Sequence, residues 1–218
     1  MLNYNSVRLM LFAVVMLAIY LILRASKLQN KRRIKTVSMI VCLALLFVSW
    51  FIPIENCMFS FPTVESAFKY SDSEGEIIAV IDGIDSAMVV YQGKKGDVPT
   101  IFPKIGDGYG VRGFPIFKSR TMRVPLRTGA ENMFYFTVYS VRNTTDTYLM
   151  AWEAFGTKRL DIQDNLGSEF IFLDSYSGFS YYIYAKDFNP ETYAISIDGE
   201  TYTYEDFNSL TNLFFGQN

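Results

Sequence analysis

Two charge-free stretches near the N-terminus restrict what this chain can fold into more than anything else in it. Thr36 to Ile54, TVSMIVCLALLFVSWFIPI, runs 19 residues without a charged side chain. As a helix it covers about 28 Å, close to the hydrocarbon thickness of a bilayer. Leu9 to Leu23, LMLFAVVMLAIYLIL, is 15 residues long, about 22 Å, and spans only if Arg8 snorkels out to the headgroups. Tyr4 and Tyr20, and Trp50 and Phe51, fall where interfacial aromatic belts belong. The expected arrangement is a transmembrane α-hairpin over residues 1–55, with spans at about 7–24 and 36–54.

Between the stretches lies RASKLQNKRRIK. Arg24, Lys27, Lys31, Arg32, Arg33 and Lys35 sit within reach of both helix ends, against Arg8 and the α-amino group on the far side. By the positive-inside rule these six residues determine the topology. Loop 25–35 is cytoplasmic, and both termini and residues 56–218 are extracytoplasmic, at the plasma membrane. The alternative, a signal peptide with residues 9–23 as its apolar core, lacks a small-x-small cleavage site. A short loop tied to a bilayer at both ends leaves little room for a duplex, so no nucleic-acid partner is expected. The lipid bilayer itself is the first partner implied, and the cluster would also favour anionic headgroups.

Charge divides the chain the same way. Residues 1–55 carry seven Lys/Arg against one acid, Glu55, whereas residues 56–218 carry 13 bases and 21 acids. Such asymmetry marks two environments in one chain. There is no His, which excludes Ser-His-Asp and Cys-His chemistry and every imidazole-ligated metal. Cys42 and Cys57 are too far apart along a helix to pair with each other. Cys57 reads as an unpaired interfacial thiol.

Residues 56–218 read as a mainly-β domain, a sandwich or rolled antiparallel sheet with one short helix. PTVESAFKY gives the helix, starting at Pro62 or Thr63, with Val64, Ala67 and Phe68 on one face. Four hairpins follow: EIIAVIDGIDSAMVVYQG around Asp82-Gly83, MFYFTVYSVRNTTDTYLMAWEAFG around RNTTD, EFIFLDSYSGFSYYIYAKD around Ser-Gly, and TYAISIDGETYTY around Asp198-Gly199. Residues 93–129 are rich in Gly and Pro with weaker strand signals. They read as long loops of one domain or a seam between two halves, and one domain is the favoured expectation.

FPTVESAFKYSDSEGEIIAVIDGIDSAMVVYQ, residues 61–92, resembles small envelope proteins of Gram-positive bacteria. These combine one or two N-terminal spans with an AFKY-type helix and a hairpin of the form I-x-x-I-x-G-x-D-S-A-x-V-x-Y. The resemblance implies a plasma-membrane location with an outward-facing domain, and carries no activity and no functional residues.

Chemistry-bearing residues are scattered. Asp161, Asp164, Asn165 and Glu169 form the densest oxygen group, but calcium loops alternate their ligands and these do not. IDGID, residues 81–85, reads as a turn. Asn143-Thr144-Thr145 fits a glycosylation acceptor, of consequence only in a secretory-pathway host. No cofactor is expected, no metal ligand or catalytic residue is assigned, and the chain is not expected to be an enzyme.

Two surfaces stand out. Lys104, Arg112, Lys118, Arg120, Arg123 and Arg127, opposed only by Asp107, form a candidate patch for an anionic partner such as a wall polymer; the plainer reading pairs them with the domain's own acids. Tyr182 and Tyr184, with Tyr202 or Tyr204 across from them, form a candidate aromatic contact strip; the plainer reading is a second buried face.

The expected function is a membrane-anchored, non-catalytic binding or scaffold module at the cell envelope. One alternative is an accessory subunit of a larger membrane complex, with another membrane or envelope protein as partner and Ala13, Ala18, Ser38, Cys42, Ala44 and Ser49 as the seam. The other is an envelope hydrolase using paired carboxylates.

Overall fold

The computed structural model describes residues 4–25, 32–51, 54–71, 75–94, 96–111, 117–125, 133–153, 159–175 and 178–207. The fold is mostly β-sheet with a few short helices and an apolar N-terminal helix. Its contacts divide it into two compact units: residues 1–74 with 102–114, and residues 75–101 with 115–218.

The smaller unit begins with α1 (Tyr4–Ala25) and α2 (Arg32–Phe51). Ser6–Ala25 is long and apolar enough to cross a membrane, the single such helix among the described residues. α2 devotes its first turn to Arg32, Arg33 and Lys35 before its apolar part begins. Both helices leave large apolar side chains exposed, among them Leu9, Met10, Leu17, Met39, Val41 and Phe47. Cys42 and Ser38 are exceptions: Cys42 is buried, and the two line a notch with Met16, Ile19, Tyr20 and Leu23 of α1. They stand four apart on α2, which puts them on one helix face.

A 3-10 turn (Ile54–Cys57) leads to α3 (Val64–Ser71). Thr63 caps α3, its hydroxyl accepting from the Ser66 amide at 3.2 Å. Val64, Ala67 and Phe68 are buried as their spacing expects, and Phe68 meets Phe102 edge-on. Asn56 closes a two-way bridge to the Val111 backbone, donating to its carbonyl at 2.9 Å and accepting from its amide at 2.6 Å.

The larger unit is built around an antiparallel five-stranded sheet. It contains β5 (Phe117–Pro125), β6 (Met133–Val141), β7 (Thr147–Glu153), β9 (Ile171–Ser175) and β10 (Gly178–Tyr184), in the order β5-β6-β7-β10-β9. Side chains alternate faces along each strand, and here both faces are covered. Phe134, Phe136, Val138, Leu149, Ala151, Tyr181 and Ile183 enter one core with Ile195, Ile197 and Tyr202. Those last three come from the small sheet of β8 (Ile162–Asp164), β11 (Ala194–Ile197) and β12 (Glu200–Thr203). Val141, Tyr148 and Tyr182 enter a second core with Ile81, Met88, Val90 and Ile101. These belong to β1 (Glu76–Asp82), β2 (Ser86–Gly93) and β3 (Gly96–Ile105), and β3 ends in the smaller unit, where it pairs with β4 (Gly108–Tyr109).

The expected hairpins form as β1–β2, β6–β7, β9–β10 and β11–β12. Asp198 and Gly199 both take positive φ, 50° and 85°, between the paired residues Ile197 and Glu200, as a two-residue hairpin turn requires. The Gly- and Pro-rich stretch holds more regular structure than expected, namely β3, β4 and the nine-residue β5. The strand signal of β5 is weak because it is a sheet-edge strand, where the stripe of apolar side chains is broken by cations.

Candidate functional site

Arg8 borders the apolar run of α1 at its N-terminal end, and the structure corrects what the sequence expected of it. Arg8 is buried at 6% exposure and does not snorkel. Its Nε donates to Glu55 Oε1 at 3.3 Å and an Nη donates to Oε2 at 3.2 Å, a two-point guanidinium–carboxylate pair across 47 residues. Glu55 is itself 5% exposed, and Tyr70 of α3 donates its hydroxyl to Oε1 at 3.4 Å. A buried charge is costly unless paired and hydrogen-bonded. Each of these two ions makes the other tolerable, and the carboxylate draws α1, the 3-10 turn and α3 to one point. Beside it, Phe59, Phe61 and Tyr70 form an aromatic trio with centroids 5.2 to 6.4 Å apart, Phe59 meeting the other two rings edge-on. Glu55 was legible as the lone acid of the N-terminal segment; its partner was not.

A second buried carboxylate organises the larger unit. Asp146, 1% exposed, accepts four hydrogen bonds: from the Ile84 amide at 3.1 Å, the Asp85 amide at 2.8 Å, Ser86 Oγ at 2.6 Å and Tyr184 Oη at 2.9 Å. Ser86 and Tyr148 share a further bond at 3.0 Å. Burial pushes the Tyr148 phenol well above its ordinary range, and pushes Tyr184 up to about 12 with the Asp146 carboxylate adding to the effect. Ser86 is wholly buried, and Asp146 spends both its oxygens on these four donors. Its chemistry is structural, pinning the β1–β2 loop to the central sheet.

The oxygen-rich segment 161–169 is likewise engaged in the backbone. Asp164 Oδ1 accepts from the Leu166 and Ser168 amides at 3.1 and 2.8 Å. Asn165 donates to the Thr192 carbonyl at 2.8 Å and accepts from the Ala194 amide at 3.0 Å. Among the described residues no group of three or more potential metal-ligating side chains forms. On either side of residues 168 and 169 lie two open hollows. One of about 490 Å³ includes Arg159, Gln163 and Phe170, and the other of about 450 Å³ includes Leu166, Tyr184 and Lys186.

The aromatic strip is not an exposed surface. Tyr182 is fully buried in the core toward β1–β3, whereas Tyr202 is buried in the opposite core. Tyr184 and Tyr204 are half-buried at the margins of those two cores. The reason is the second covering layer: a sheet packed on both faces buries both alternating rows of β10.

Of the basic patch, Lys118 and Arg120 are exposed on β5, two residues apart and so on one face. There they extend the row of buried Met122 and flank a sheet edge, where cations discourage further strand pairing. Arg123 lies on β5, but its side chain is outside the described residues, as are Arg112 and Arg127. Lys104 belongs to the other unit, with its Nζ 5.8 Å from the Tyr109 ring centroid. Of the topology cluster, Arg24 is exposed in the last turn of α1 and Lys27 and Lys31 lie outside the described residues. Both cysteines are free, Cys42 buried and Cys57 exposed.

No protein-family model, curated protein or solved structure matches this chain.

Proposed function

We propose that the chain is a membrane-anchored, non-catalytic binding or scaffold protein that presents a β-rich domain at the cell envelope. In this reading α1 and α2 both span, the basic loop is cytoplasmic, and both termini lie outside. The supporting observation is the burial of Arg8 against Glu55 and Tyr70. It neutralises the cation at the N-terminal edge of the apolar run of α1 and joins that end of the helix to the segment that follows α2. The larger unit suits a scaffold, since Asp146, Asp164 and Asn165 are committed to holding loops in place.

The anchor is tested by a reporter fused after Asn218, which should be active only outside the cell; a cytoplasmic signal refutes the topology. The binding role is tested by mixing the full chain in nanodiscs with purified wall polymer and with solubilised envelope proteins. Retention of wall polymer supports the binding module. Retention of an envelope protein that survives deletion of residues 56–218 moves the function to the helices, as the accessory-subunit reading holds. On that reading Ser38 and Cys42 are already engaged against α1, while Ala13, Ala18 and Ala44 remain exposed for a partner.

A further inference from the structure

Immediately beyond the Arg8–Glu55 pair the chain exposes two apolar side chains in succession, Met58 at 77% and Phe59 at 44%. Both backbone amides donate to the Glu55 carbonyl at 2.9 Å. The turn that carries them is therefore built on the same residue whose carboxylate holds Arg8. Arg8 lies two residues inside the apolar stretch Ser6–Ala25, about 3 Å along the helix axis. Through Glu55 and Arg8, Met58 and Phe59 are thus tied to the outer end of that helix, where Leu9 and Met10 are also about 60% exposed. The Phe59 ring is held edge-on by Phe61 and Tyr70 at 5.4 and 6.4 Å. Its orientation is set before anything covers it.

We infer that the Met58–Phe59 turn is an interfacial membrane contact, seated in the boundary between headgroups and acyl chains, that fixes the height of the outer segment above the bilayer. The inference rests on the reading of α1 as a membrane span. Aromatic and other large apolar side chains favour that boundary, which an amphipathic surface enters by roughly 5–10 Å. The occupant is lipid because the turn is tied, through Glu55 and Arg8, to the outer end of a helix long and apolar enough to cross a membrane. Glu55, the acid on this turn, is already neutralised by Arg8. Asn56 is occupied by the Val111 backbone. The turn thus meets the bilayer without a bare charge.

The test uses the full chain in phosphatidylcholine vesicles, with Trp50→Phe and Trp152→Phe removing the native indoles and Phe59→Trp placing one on the turn. Met58→Trp, at the more exposed position, serves as a second reporter should the aromatic trio resist the larger ring. Both reporters should emit to the blue of the urea-denatured chain. Lipids brominated high on the acyl chain should quench them several-fold more than lipids brominated near the bilayer centre. Solvent-like, unquenched emission from a chain that survives an alkaline carbonate wash overturns the inference and leaves the anchor standing. Strongest quenching from the bilayer centre overturns the interfacial placement. Blue-shifted emission that no brominated lipid quenches points to a protein partner and overturns it as well. Release of the chain by the wash overturns the anchor reading beneath it.

Discussion

Asp146→Asn isolates the contribution of one buried carboxylate, because the substitution preserves shape and removes charge. Asp146 receives two backbone amides and two hydroxyls on its two oxygens. Asparagine keeps one acceptor oxygen and puts an NH2 group in place of the other. Tyr184 and Ser86 can rotate their hydroxyls to accept from that NH2, but an amide N–H cannot reverse. In either orientation of the side chain, the Ile84 or the Asp85 amide therefore faces another donor. A hydrogen bond to a charged group contributes about 1.5–3 kcal/mol, and leaving a buried donor unsatisfied costs about 1–3 kcal/mol. The expected loss is about 3 kcal/mol, a large part of the roughly 5–15 kcal/mol that holds a typical domain. At about 2–4 °C per kcal/mol for a chain of this size, the melting temperature should fall by roughly 9 °C. Near-UV circular dichroism of the full chain in a mild detergent reads the transition of the aromatic-rich β structure. Hydrogen exchange at Ile84 and Asp85 provides the local check, since one of the two amides should lose protection. Tyr184→Phe removes a single hydroxyl from the same carboxylate and should cost about 1 kcal/mol. A shift within about 1 °C for Asp146→Asn, or equal losses for the two variants, would refute the reasoning.

The Arg8–Glu55 pair predicts a non-additive cycle. Arg8→Leu leaves Glu55 buried without its cation and should cost about 3–5 kcal/mol, whereas Arg8→Leu with Glu55→Leu should recover most of it; thermal melts of the four chains give the coupling directly. Alkaline pH should act on the buried phenols. Desolvation pushes Tyr139 up to about 12 and raises Tyr148, Tyr182 and Tyr193 as well. A phenol held neutral by the fold gives its full stabilisation below the ordinary value of 10.0 and loses it as pH rises through the folded value. Phenolate absorbance should therefore lag behind free tyrosine above pH 10 and then rise together with loss of the near-UV signal. Complete ionisation near pH 10 with the fold intact would contradict the burial of these rings.

What the sequence disclosed was local, and what it concealed was at a distance. Asp198-Gly199 and Asp82-Gly83 look alike in the chain, and each marks a real hairpin. At the first, both residues need positive φ. At the second, Gly83 has an ordinary backbone and the loop closes through its amide on the Ser86 carbonyl at 2.9 Å. Glycine is required there for room, since a Cβ would meet Tyr148 Oη at 2.5 Å. Only the partner sheet, more than 60 residues on, distinguishes the two cases. Tyr182, left open between a contact strip and a buried face, is decided for a related reason. Period-2 alternation tells which side chains share a face, never whether a second layer covers it. β5 gives a weak signal because its edge position removes the alternation by which strands are recognised.

Two of the buried carboxylates follow one logic. Glu55 and Asp146, each in its own unit, collect donors from segments remote in sequence: Arg8 lies 47 residues from Glu55, and Ser86 lies 60 from Asp146. Apolar packing is tolerant, since cores accept many combinations of similar volume. A buried carboxylate is not, because every oxygen must find its donors or the charge becomes a penalty. Placing one acid where three or four elements meet therefore restricts the arrangement more tightly than further apolar burial would. In the larger unit Asp146 fixes the β1–β2 loop against the central sheet. In the smaller, Glu55 fixes α1 against α3. Both acids are committed to architecture, so what each contributes is the position of the elements around it.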